Sequence, residues 1–301
     1  MITFLSGGTG TPKLLRGMRR VLGDEEISVV VNTAEDIWIS GNYLAPDLDT
    51  VMYLFSGDLD TDTWWGVKGD SYHTHEEVRR LCGDEYITIG DRDRAVHIAR
   101  SGMLTAGKTL TEVTRSLCDA LGVRAGILPM ADTPVTTRVM TPEGELHFQE
   151  YWVKFRGSPR VQGVRRTYDT PPLATDEVIR AIRESEGVII GPSNPVTSIL
   201  PILECQGVTS ALADRAVIAV SPFIGDAPVS GPAGVLMRAM GHEPTSLGTF
   251  RLYESICPHF VQDVRDPVKV PGSSRADTLM TDIEKSVELS MKLLEFIRAA
   301  R

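Results

Sequence analysis

The chain opens with a short apolar run that leads directly into a glycine-rich loop, the order expected of a strand, a tight turn and a helix start. The run covers residues 2–5, and the loop reads Ser6-Gly-Gly-Thr-Gly-Thr-Pro-Lys13. Its glycines let a phosphate approach the backbone amides without meeting a Cβ atom, and Thr11-Pro12 is suited to cap and begin a helix whose free N–H groups attract anions. The spacing matches neither the dinucleotide-binding fingerprint nor the P-loop, so the loop is either a phosphate site or a tight turn without a ligand. We predict a phosphate site formed by Gly7, Gly8 and Gly10.

Apolar, β-branched runs recur along the chain and alternate with helical patterns. The runs at residues 27–31, 188–190 and 216–220 are typical of strands buried on both faces. Such alternation predicts an α/β fold with a Rossmann-like, doubly wound, mostly parallel sheet, and ligands at the carboxyl ends of its strands. We expect a single α/β domain over residues 1–301, in which the last helix closes the domain or pairs two subunits. Helices are predicted near residues 12–21, 50–55, 75–82, 92–101, 111–121, 175–186, 198–204 and 280–301.

One segment departs from this alternation and predicts an insertion over residues 134–172. Alternating apolar and polar residues flank the turn sequence Pro142-Glu-Gly144, which is the pattern of an antiparallel hairpin. A cluster of arginines follows in a stretch with proline and glycine: Arg156, Arg160, Arg165 and Arg166. We interpret this cluster as a solvated basic extension, with contact to a ligand as the alternative.

The composition of the chain argues against some classes of binding partner and indicates the cellular compartment. The formal charge of −9 argues against a broad surface for nucleic acid or for anionic membranes. The four cysteines contain no C-x-x-C pair, which favours reduced thiols and argues against a zinc site. The first apolar run is too short for a signal peptide or a membrane span. We therefore expect a cytoplasmic protein that binds neither nucleic acid nor a membrane.

Polar and aromatic residues mark further candidates for a site. The connection after the second predicted strand carries Asp36, Asp47 and Asp49, and carboxylates of this kind suit Mg²⁺ shared with substrate phosphates, although exposed solvated acids give the same pattern. At Asp91-Arg92 we expect a helix cap and a side chain directed at the cleft, with a surface ion pair as the alternative. Trp64-Trp65 stands among glycines and aspartates, which predicts that one indole packs on a flat ligand.

Six segments along the chain carry a resemblance to a known family. They are Ser6-Gly-Gly-Thr-Gly-Thr-Pro-Lys13, Val31-Asn-Thr-Ala-Glu-Asp36, Ser40-Gly-Asn-Tyr-Leu-Ala-Pro-Asp-Leu-Asp-Thr50, Gly90-Asp-Arg-Asp93, Gly191-Pro-Ser-Asn-Pro195 and Ser221-Pro-Phe-Ile-Gly225. In this order, and across nearly the whole chain, they resemble the 2-phospho-L-lactate transferases, the CofD family.

The resemblance implies a reaction. Members move phospholactate from lactyl-2-diphospho-5'-guanosine to the ribityl hydroxyl of 7,8-didemethyl-8-hydroxy-5-deazariboflavin (Fo), which gives coenzyme F420-0 and GMP. It also implies a need for Mg²⁺, a donor linked to guanosine diphosphate and a homodimer. Phosphoryl transfer of this kind needs a phosphate cradle, a cation and a positioned hydroxyl, all of which the residues above permit.

The resemblance also implies roles for individual residues. Substrate binding falls to Gly7, Gly8, Thr9, Gly10, Lys13, Asn32, Asp49, Arg92, Ser193 and Asn194. Among these, the glycine loop would hold the diphosphate, Ser193-Asn194 the guanosine end, and Asp49 with Arg92 the deazaflavin. The expected catalytic residues are Asp47, Asp49 and Arg92, and the expected metal ligands are Asp36, Asp47 and Asp49.

Two other classes share part of this pattern. YvcK-like regulatory proteins, which bind nucleotide sugars, have a similar glycine-rich opening, but they carry a double aspartate and glycines where this chain has Glu35 and Ile37-Trp38. An NAD-dependent oxidoreductase would use an acid near the end of the second strand, the place of Asp36, but its glycine spacing differs. Both departures favour the transferase.

Overall fold

The computed structural model of the chain describes residues 1–83 and 85–299. Its strands, in chain order, are β1 Ile2–Ser6, β2 Ile27–Val31, β3 Ile37–Ile39, β4 Asn42–Leu44, β5 Gly126–Pro129, β6 Thr136–Thr141, β7 Gly144–His147, β8 Gly163–Thr167, β9 Gly187–Ile190, β10 Val217–Val220, β11 Phe223–Ile224, β12 Ala227–Pro228, β13 His259–Asp263 and β14 Ser274–Ala276. Its α-helices are α1 Gly10–Met18, α2 Pro46–Ser56, α3 His73–Cys82, α4 Asp91–Thr105, α5 Leu110–Ala120, α6 Asp176–Arg183, α7 Leu200–Glu204, α8 Val208–Leu212, α9 Ala233–Ala239, α10 Ser246–Tyr253 and α11 Ile283–Ala299. A 3₁₀ turn spans Asp24–Glu26, and π-helical turns span Glu150–Lys154 and Pro195–Ile199.

A seven-stranded sheet forms the centre of the molecule, in the spatial order β14-β13-β10-β9-β1-β2-β5. Every neighbouring pair in it is parallel. The chain adds β2 and β5 on one side of β1 and then returns to add β9, β10, β13 and β14 on the other side. This order confirms the predicted doubly wound α/β fold and places its topological switch point between β1 and β9.

Both faces of the sheet are buried because successive side chains of a strand point to opposite faces. In β1, Phe4 packs in one apolar cluster with Val29 of β2 and Leu293 of α11. Leu5 packs in the opposite cluster with Val30 of β2. The apolar runs that predicted buried strands therefore belong to a core with two layers.

Helix α11 packs against α1 and closes the domain. A Cβ atom at Gly17 of α1 would collide with the backbone of Ser286, so this glycine allows the two helices to approach closely. The hydroxyl of Ser290 donates to the carbonyl of Leu14 at 3.5 Å. The packing supports the expectation that the last predicted helix closes the domain, the alternative being that it pairs two subunits. The final residues of that predicted helix, 300 and 301, lie outside the described chain.

The predicted insertion forms a three-stranded antiparallel sheet in the order β7-β6-β8. The β6–β7 hairpin confirms the predicted turn. The second strand ends at His147, earlier than the alternation indicates, because the chain turns helical over Glu150–Lys154. The interpretation of the arginines as a solvated extension is wrong for Arg166, which lies in β8 and is largely buried, with a side chain 8% exposed.

Among the helices that begin earlier than predicted, α1 and α2 bear on the site. Helix α1 starts at Gly10 with Thr9 at its N-cap, so Thr11 lies inside the helix and is not its cap. Helix α2 starts at Pro46, which places Asp47 and Asp49 in its first turn and not in a loop. Proline is favoured at the first helical position, and this signal at residue 46 identifies the start better than the apolar run that follows.

Candidate functional site

A deep cleft lies at the topological switch point, where the loops after β1 and β9 meet. Its volume is about 510 Å³, within the usual range for small-molecule sites. Its lining includes polar and small residues: Gly8, Thr9, Gly10, Glu35, Asp47, Ser193, Asn194, Thr197 and Ser198. It also includes apolar and aromatic residues, among them Trp64, Trp65, Ile87, Phe148, Trp152 and Val153.

The hydroxyl of Ser193 joins the loop after β9 to the glycine loop. It accepts hydrogen bonds from the amides of Gly7 at 3.1 Å and Thr11 at 3.3 Å, and it lies 2.7 Å from the hydroxyl of Thr11. The two loops touch so closely that a Cβ atom at Gly10 would collide with the carbonyl of Pro192. The glycines therefore allow the backbones of the two loops to approach closely, in addition to allowing the chain to turn.

The first turn of α1 is open to an anion. Its N-cap Thr9 accepts no hydrogen bond from the helix with its side chain, and the turn contains no acidic residue. Thr9 and Gly10 both line the cleft. The Thr11 amide of this turn donates to Ser193, and the N–H groups of a helix start carry partial positive charge, so this end of the cleft suits a phosphate group.

Asp47 faces the cleft from the first turn of α2. Its Oδ2 accepts a hydrogen bond of 2.9 Å from Nδ2 of Asn32, which is itself fixed at the end of β2 because its Oδ1 accepts from the amide of Ala34. A Cβ atom at Gly8 would collide with Oδ1 of Asp47. Burial raises the pKa of Asp47 to about 7, against the opposing effect of the bonds from Asn32 and the Gly8 amide. A carboxyl group with such a pKa, beside a phosphate site, can hold a cation or accept a proton.

Glu35 and Asp36 follow the end of β2, and both are buried. Burial raises the pKa of Glu35, and Asp47 adds to the effect. Burial likewise raises the pKa of Asp36, although Arg100 opposes it. The hydroxyl of Tyr43 interacts with the Asp36 carboxylate, which lowers the pKa of Asp36, and burial together with this contact raises the pKa of Tyr43. Glu35 lines the cleft, whereas Asp36 lies behind it.

Asp49 lies behind the cleft, in an ion-pair network between α2 and α4. The guanidinium of Arg100 bonds both of its oxygens, and Nε2 of His97 lies 3.2 Å from Oδ2. The same His97 nitrogen is 3.0 Å from Asp93, which also accepts a 2.7 Å bond from the hydroxyl of Tyr53. Burial would raise the pKa of Asp49, but Arg100 and His97 outweigh it and lower that pKa to about 2. Burial would lower the pKa of His97, but its two carboxylate partners raise it to about 9, so the imidazole is protonated at neutral pH.

The predicted metal ligands do not form one cluster. Among the described residues, the group of His, Cys, Asp and Glu side chains that brings three ligand atoms within 4.8 Å of one another is Asp49, Asp93 and His97. In that group both oxygens of Asp49 are already bonded to cationic side chains. The arrangement is that of paired charges and not of an open metal site.

The predicted tryptophan pair lies at the cleft wall. Trp64 adopts a left-handed backbone conformation with φ 56°, and both Trp64 and Trp65 line the cleft. The ring of Trp64 lies 5.4 Å from Nζ of Lys13 and 5.1 Å from the guanidinium carbon of Arg16. Lys13 thus contacts the aromatic wall, and its pKa is lowered by burial and by Arg16.

Arg92 does not line the cleft. It lies on α4 and is exposed, and its guanidinium is 3.0 Å from Oδ1 of Asp58. The N-cap of α4 is Gly90, so the expected cap at Asp91 is wrong.

Of the predicted site residues, the structure brings to the cleft surface Gly8, Thr9, Gly10, Asp47, Ser193 and Asn194, whereas Gly7, Lys13, Asn32, Asp36, Asp49 and Arg92 lie outside its lining.

Sequence reasoning missed Phe148 and Trp152 of the insertion, the acid Glu35, and Arg100. Phe148 and Trp152 continue the alternation that predicts the second strand of the hairpin, whereas in the structure the chain leaves the strand after His147 and both side chains line the cleft. The sequence contains one signal for Glu35, which is that it stands next to Asp36, a predicted metal ligand. Arg100 has none, since its position is set by the packing of α4 on α2.

Comparisons with known proteins agree on one family. A family model described as 2-phospho-L-lactate transferase CofD matches residues 2–288. A protein of Methanospirillum hungatei named 2-phospho-L-lactate transferase is 59% identical over 280 residues, covering 93% of this chain and 94% of the relative. A protein of the same name from Methanocorpusculum labreanum is 55% identical over 300 residues, covering 98% of this chain and 99% of the relative.

A solved structure supports the fold alone. A member of the UPF0052 family from Bacillus halodurans superimposes with a TM-score of 0.57 at 15% identity, covering 89% of this chain and 81% of that one. No helix within residues 1–83 and 85–299 has the length and apolar character needed to cross a membrane.

Proposed function

The chain belongs to the CofD family of 2-phospho-L-lactate transferases, and on that premise we propose that it transfers the phospholactyl group of lactyl-2-diphospho-5'-guanosine to Fo, giving coenzyme F420-0 and GMP. The observation that carries the proposal is a cleft at the switch point whose lining combines two kinds of surface. The start of α1 offers backbone amides to a diphosphate, and the aromatic residues offer flat surfaces to a deazaflavin ring.

The donor is proposed to lie with its diphosphate on Gly8, Thr9 and Gly10. The backbone amides of Thr9 and Gly10 are the proposed donors to the charge that develops in the transition state, since the Gly8 amide already bonds Asp47. The side chain of Asn194 lines the neighbouring stretch of the cleft, and its buried Nδ2 has no hydrogen-bond partner among the described residues. This free donor is available to the guanosine end of the donor.

The acceptor is proposed to lie against Trp65, Phe148 and Trp152, with its ribityl chain directed at the diphosphate. Its hydroxyl oxygen forms a bond to the phosphorus that carries lactate, and the bond from that phosphorus to the bridging oxygen breaks, so that this oxygen leaves with GMP. Asp47 is the carboxyl group that orients the hydroxyl and receives its proton, because it faces the cleft beside the glycine loop.

Magnesium is the cofactor that we propose, and part of the predicted ligand set fits it. Mg²⁺ is usually bound by one or two carboxylates together with substrate phosphates, which suits Asp47 at the cleft. Asp36 is the second proposed carboxylate, and it lies behind the cleft lining, beside Tyr43. Asp49 does not fit, since Arg100 and His97 already bond its oxygens. When bound, the ion would neutralise charge on the diphosphate.

Asp49 and Arg92 are proposed to serve the acceptor, as the family resemblance implies. For a direct contact, the guanidinium of Arg92 has to leave Asp58, and exposed ion pairs of this kind are weak enough to allow it. Asp49 can act on the acceptor only through neighbouring groups unless it separates from Arg100.

Three further features are proposed for the protein. Affinity for guanosine diphosphate follows from the open helix start, and a homodimer follows from the family resemblance. A cytoplasmic location is supported by the free state of all the cysteines. The relatives reported above are named as transferases, which disfavours a regulatory nucleotide-sugar protein and an oxidoreductase.

The test is incubation of the protein with Fo, Mg²⁺ and separate donors in which guanosine diphosphate carries lactate or enolpyruvate, followed by mass measurement of the products. We expect F420-0 and an equimolar amount of GMP from the lactyl donor. The absence of product from both donors, together with binding of NAD or of a UDP-sugar, would overturn the proposal.

A further inference from the structure

The ion-pair network behind the cleft is unusually well buried for charged groups. The exposed fractions are 4% for Asp49, 2% for Asp93 and 0% for both His97 and Arg100. None of these residues lines the cleft. Burying a guanidinium costs several kcal/mol unless it is well paired, so a buried pair is weak evidence for a role in stability alone.

Arg100 connects two points on either side of the start of α2. Its guanidinium bonds both oxygens of Asp49 in the first turn of α2, and it also donates to the carbonyl of Tyr43 in β4 at 3.4 Å. The N-cap of α2 is Ala45, which has no side chain that can cap the helix. Arg100 therefore ties the first turn of α2 to β4 from behind, in a helix start that no side chain caps.

We propose that Arg100 is a positioning residue, which fixes the first turn of α2 through Asp49 so that Asp47 stays against the glycine loop. The inference rests on the proposed function in one respect, the assignment of Asp47 to the reaction. Asp47 and Asp49 point to opposite sides of the same turn, one toward Gly8 and Asn32 and the other toward Arg100.

A small displacement of the Asp47 carboxylate relative to Gly8 is enough to affect the reaction. Asp47 already touches Gly8 without room for one more carbon atom, so a shift of the turn moves its carboxylate relative to any phosphate on the loop. Misplacement of a catalytic group by about 1 Å can cost about 100-fold in rate. Arg100 is thus expected to affect turnover more than substrate affinity.

Charge balance within the network provides a way to distinguish two roles for Asp49: holding the first turn of α2 in position, and contacting the reacting groups directly. Asp49 and Asp93 face His97 and Arg100, which gives two charges of each sign. Arg100→Gln leaves an excess negative charge, and Asp49→Asn leaves an excess positive one. The double variant leaves Asp93 and His97 as a balanced pair, and its two amides can bond one another.

The experiment measures kcat, the KM of both substrates and Tm for both single variants and for the double variant. We expect each single variant to lose at least 10-fold in kcat and to unfold at lower temperature. The double variant should recover Tm and, on a logarithmic scale, at least a third of the loss in kcat, with the KM of the guanosine-linked donor within threefold of wild type. If the double variant recovers Tm but keeps the kcat of Asp49→Asn, then Asp49 contacts the reacting groups itself and the proposal is overturned.

Arg100→Lys keeps the folded protein testable if the other single variants do not fold. An ammonium preserves the charge but cannot bond both oxygens of Asp49 and the Tyr43 carbonyl in the geometry of a guanidinium fork. We expect kcat to fall at least 10-fold with both KM values within threefold; wild-type kcat would contradict the proposal. The matched control is Arg115→Lys, in an exposed pair with Glu177 on the surface, and it should leave every value unchanged. Lack of turnover in the wild-type protein would instead contradict the proposed function.

Discussion

Gly8 lies so close to Asp47 that a methyl group on the glycine would collide with the carboxylate oxygen Oδ1. The loop after β1 and the first turn of α2 thus touch through a glycine and an acid that the sequence separates by a strand, a hairpin and a helix. This contact joins the two parts of the site that the sequence analysis predicted separately, the phosphate loop and the acidic group.

Gly8→Ala is expected to reduce both activity and stability. The added methyl group must push Asp47 away from the loop, and such overpacking typically costs about 1–3 kcal/mol in the free energy of unfolding. We expect kcat/KM to fall at least about 10-fold, since the displaced group is the one proposed to act on the acceptor. The measurements are steady-state kinetics and thermal unfolding.

Gly102→Ala is the control for this substitution. Gly102 lies inside α4, and nothing lies within 4 Å of a Cβ atom placed there. Alanine should stabilise the helix by about 0.5–1 kcal/mol and leave turnover unchanged. If Gly8→Ala behaved like Gly102→Ala, the close contact with Asp47 would have no part in activity.

Ser193→Ala is expected to weaken donor binding. The hydroxyl accepts hydrogen bonds from two amides of the glycine loop and its helix, and loss of one hydrogen bond typically costs about 0.5–1.5 kcal/mol. With both bonds lost, the loop is free to move, and we expect the affinity for GDP to fall about 10-fold by calorimetry. Ser158→Ala, where the exposed hydroxyl bonds only a neighbouring carbonyl, should leave the affinity unchanged.

The sequence predicted the architecture well because the signals for it are local. The buried runs at β1, β2, β9 and β10 identify parallel strands by composition alone, and the capping box of Thr109 and Glu112 identifies the start of α5. The glycine loop was predicted at the carboxyl end of the first strand for the same reason, and the strand order of the structure places it at the switch point. Strand order then fixes where such a loop must lie.

Only part of the site could be predicted, because the rest depends on contacts between segments that are distant in the sequence. Nothing near Asp49 in the sequence indicates that Arg100, on another helix, bonds both its oxygens. The change from strand to π-helical turn at Glu150–Lys154 is likewise set by packing, and it directs Trp152 at the cleft. Polar residues could be recognised from the sequence, whereas their partners could not.

Trp152→Ala is expected to affect the acceptor and not the donor. Trp152 is one of the aromatic residues that line the cleft and is 40% exposed, so its removal deletes a stacking surface without opening the core. A ring contact of this type is worth about 0.5–1.5 kcal/mol. We expect the KM for Fo to rise about 3- to 10-fold while the dissociation constant of GDP is unchanged.

Trp38→Ala provides the matched control. Trp38 is also exposed, at 54%, but it lies on the β3–β4 hairpin away from the cleft lining and packs against Tyr43. Its removal should leave both constants unchanged. An equal effect of the two substitutions on the KM for Fo would contradict the assignment of the aromatic wall to the acceptor.

Asp263→Asn is expected to change the acid dependence of stability. The bonds of Arg265 and of the Thr278 amide and hydroxyl outweigh burial and hold the pKa of Asp263 well below its usual range. Stabilisation from a lowered carboxyl pKa is complete above the pKa of the unfolded chain, about 3.9, and disappears as the pH falls toward the folded value. The Tm difference between wild type and variant should thus be largest at pH 5–7 and shrink below pH 4; a constant difference across this range would contradict the ion-pair origin.

Thiol labelling should distinguish Cys82 from the other cysteines. Cys82 is exposed at the end of α3, whereas Cys118, Cys205 and Cys257 are buried. Burial raises the pKa of each of these three thiols to about 12, which leaves almost no thiolate at pH 8, and the thiolate is the nucleophile. We expect iodoacetamide to add one label to the native protein and four to the unfolded protein, as counted by mass. A second label on the native protein at the rate of the first would mean that a buried thiol is accessible, which contradicts the two-layer core; Cys82→Ser should remove the fast label and leave turnover unchanged.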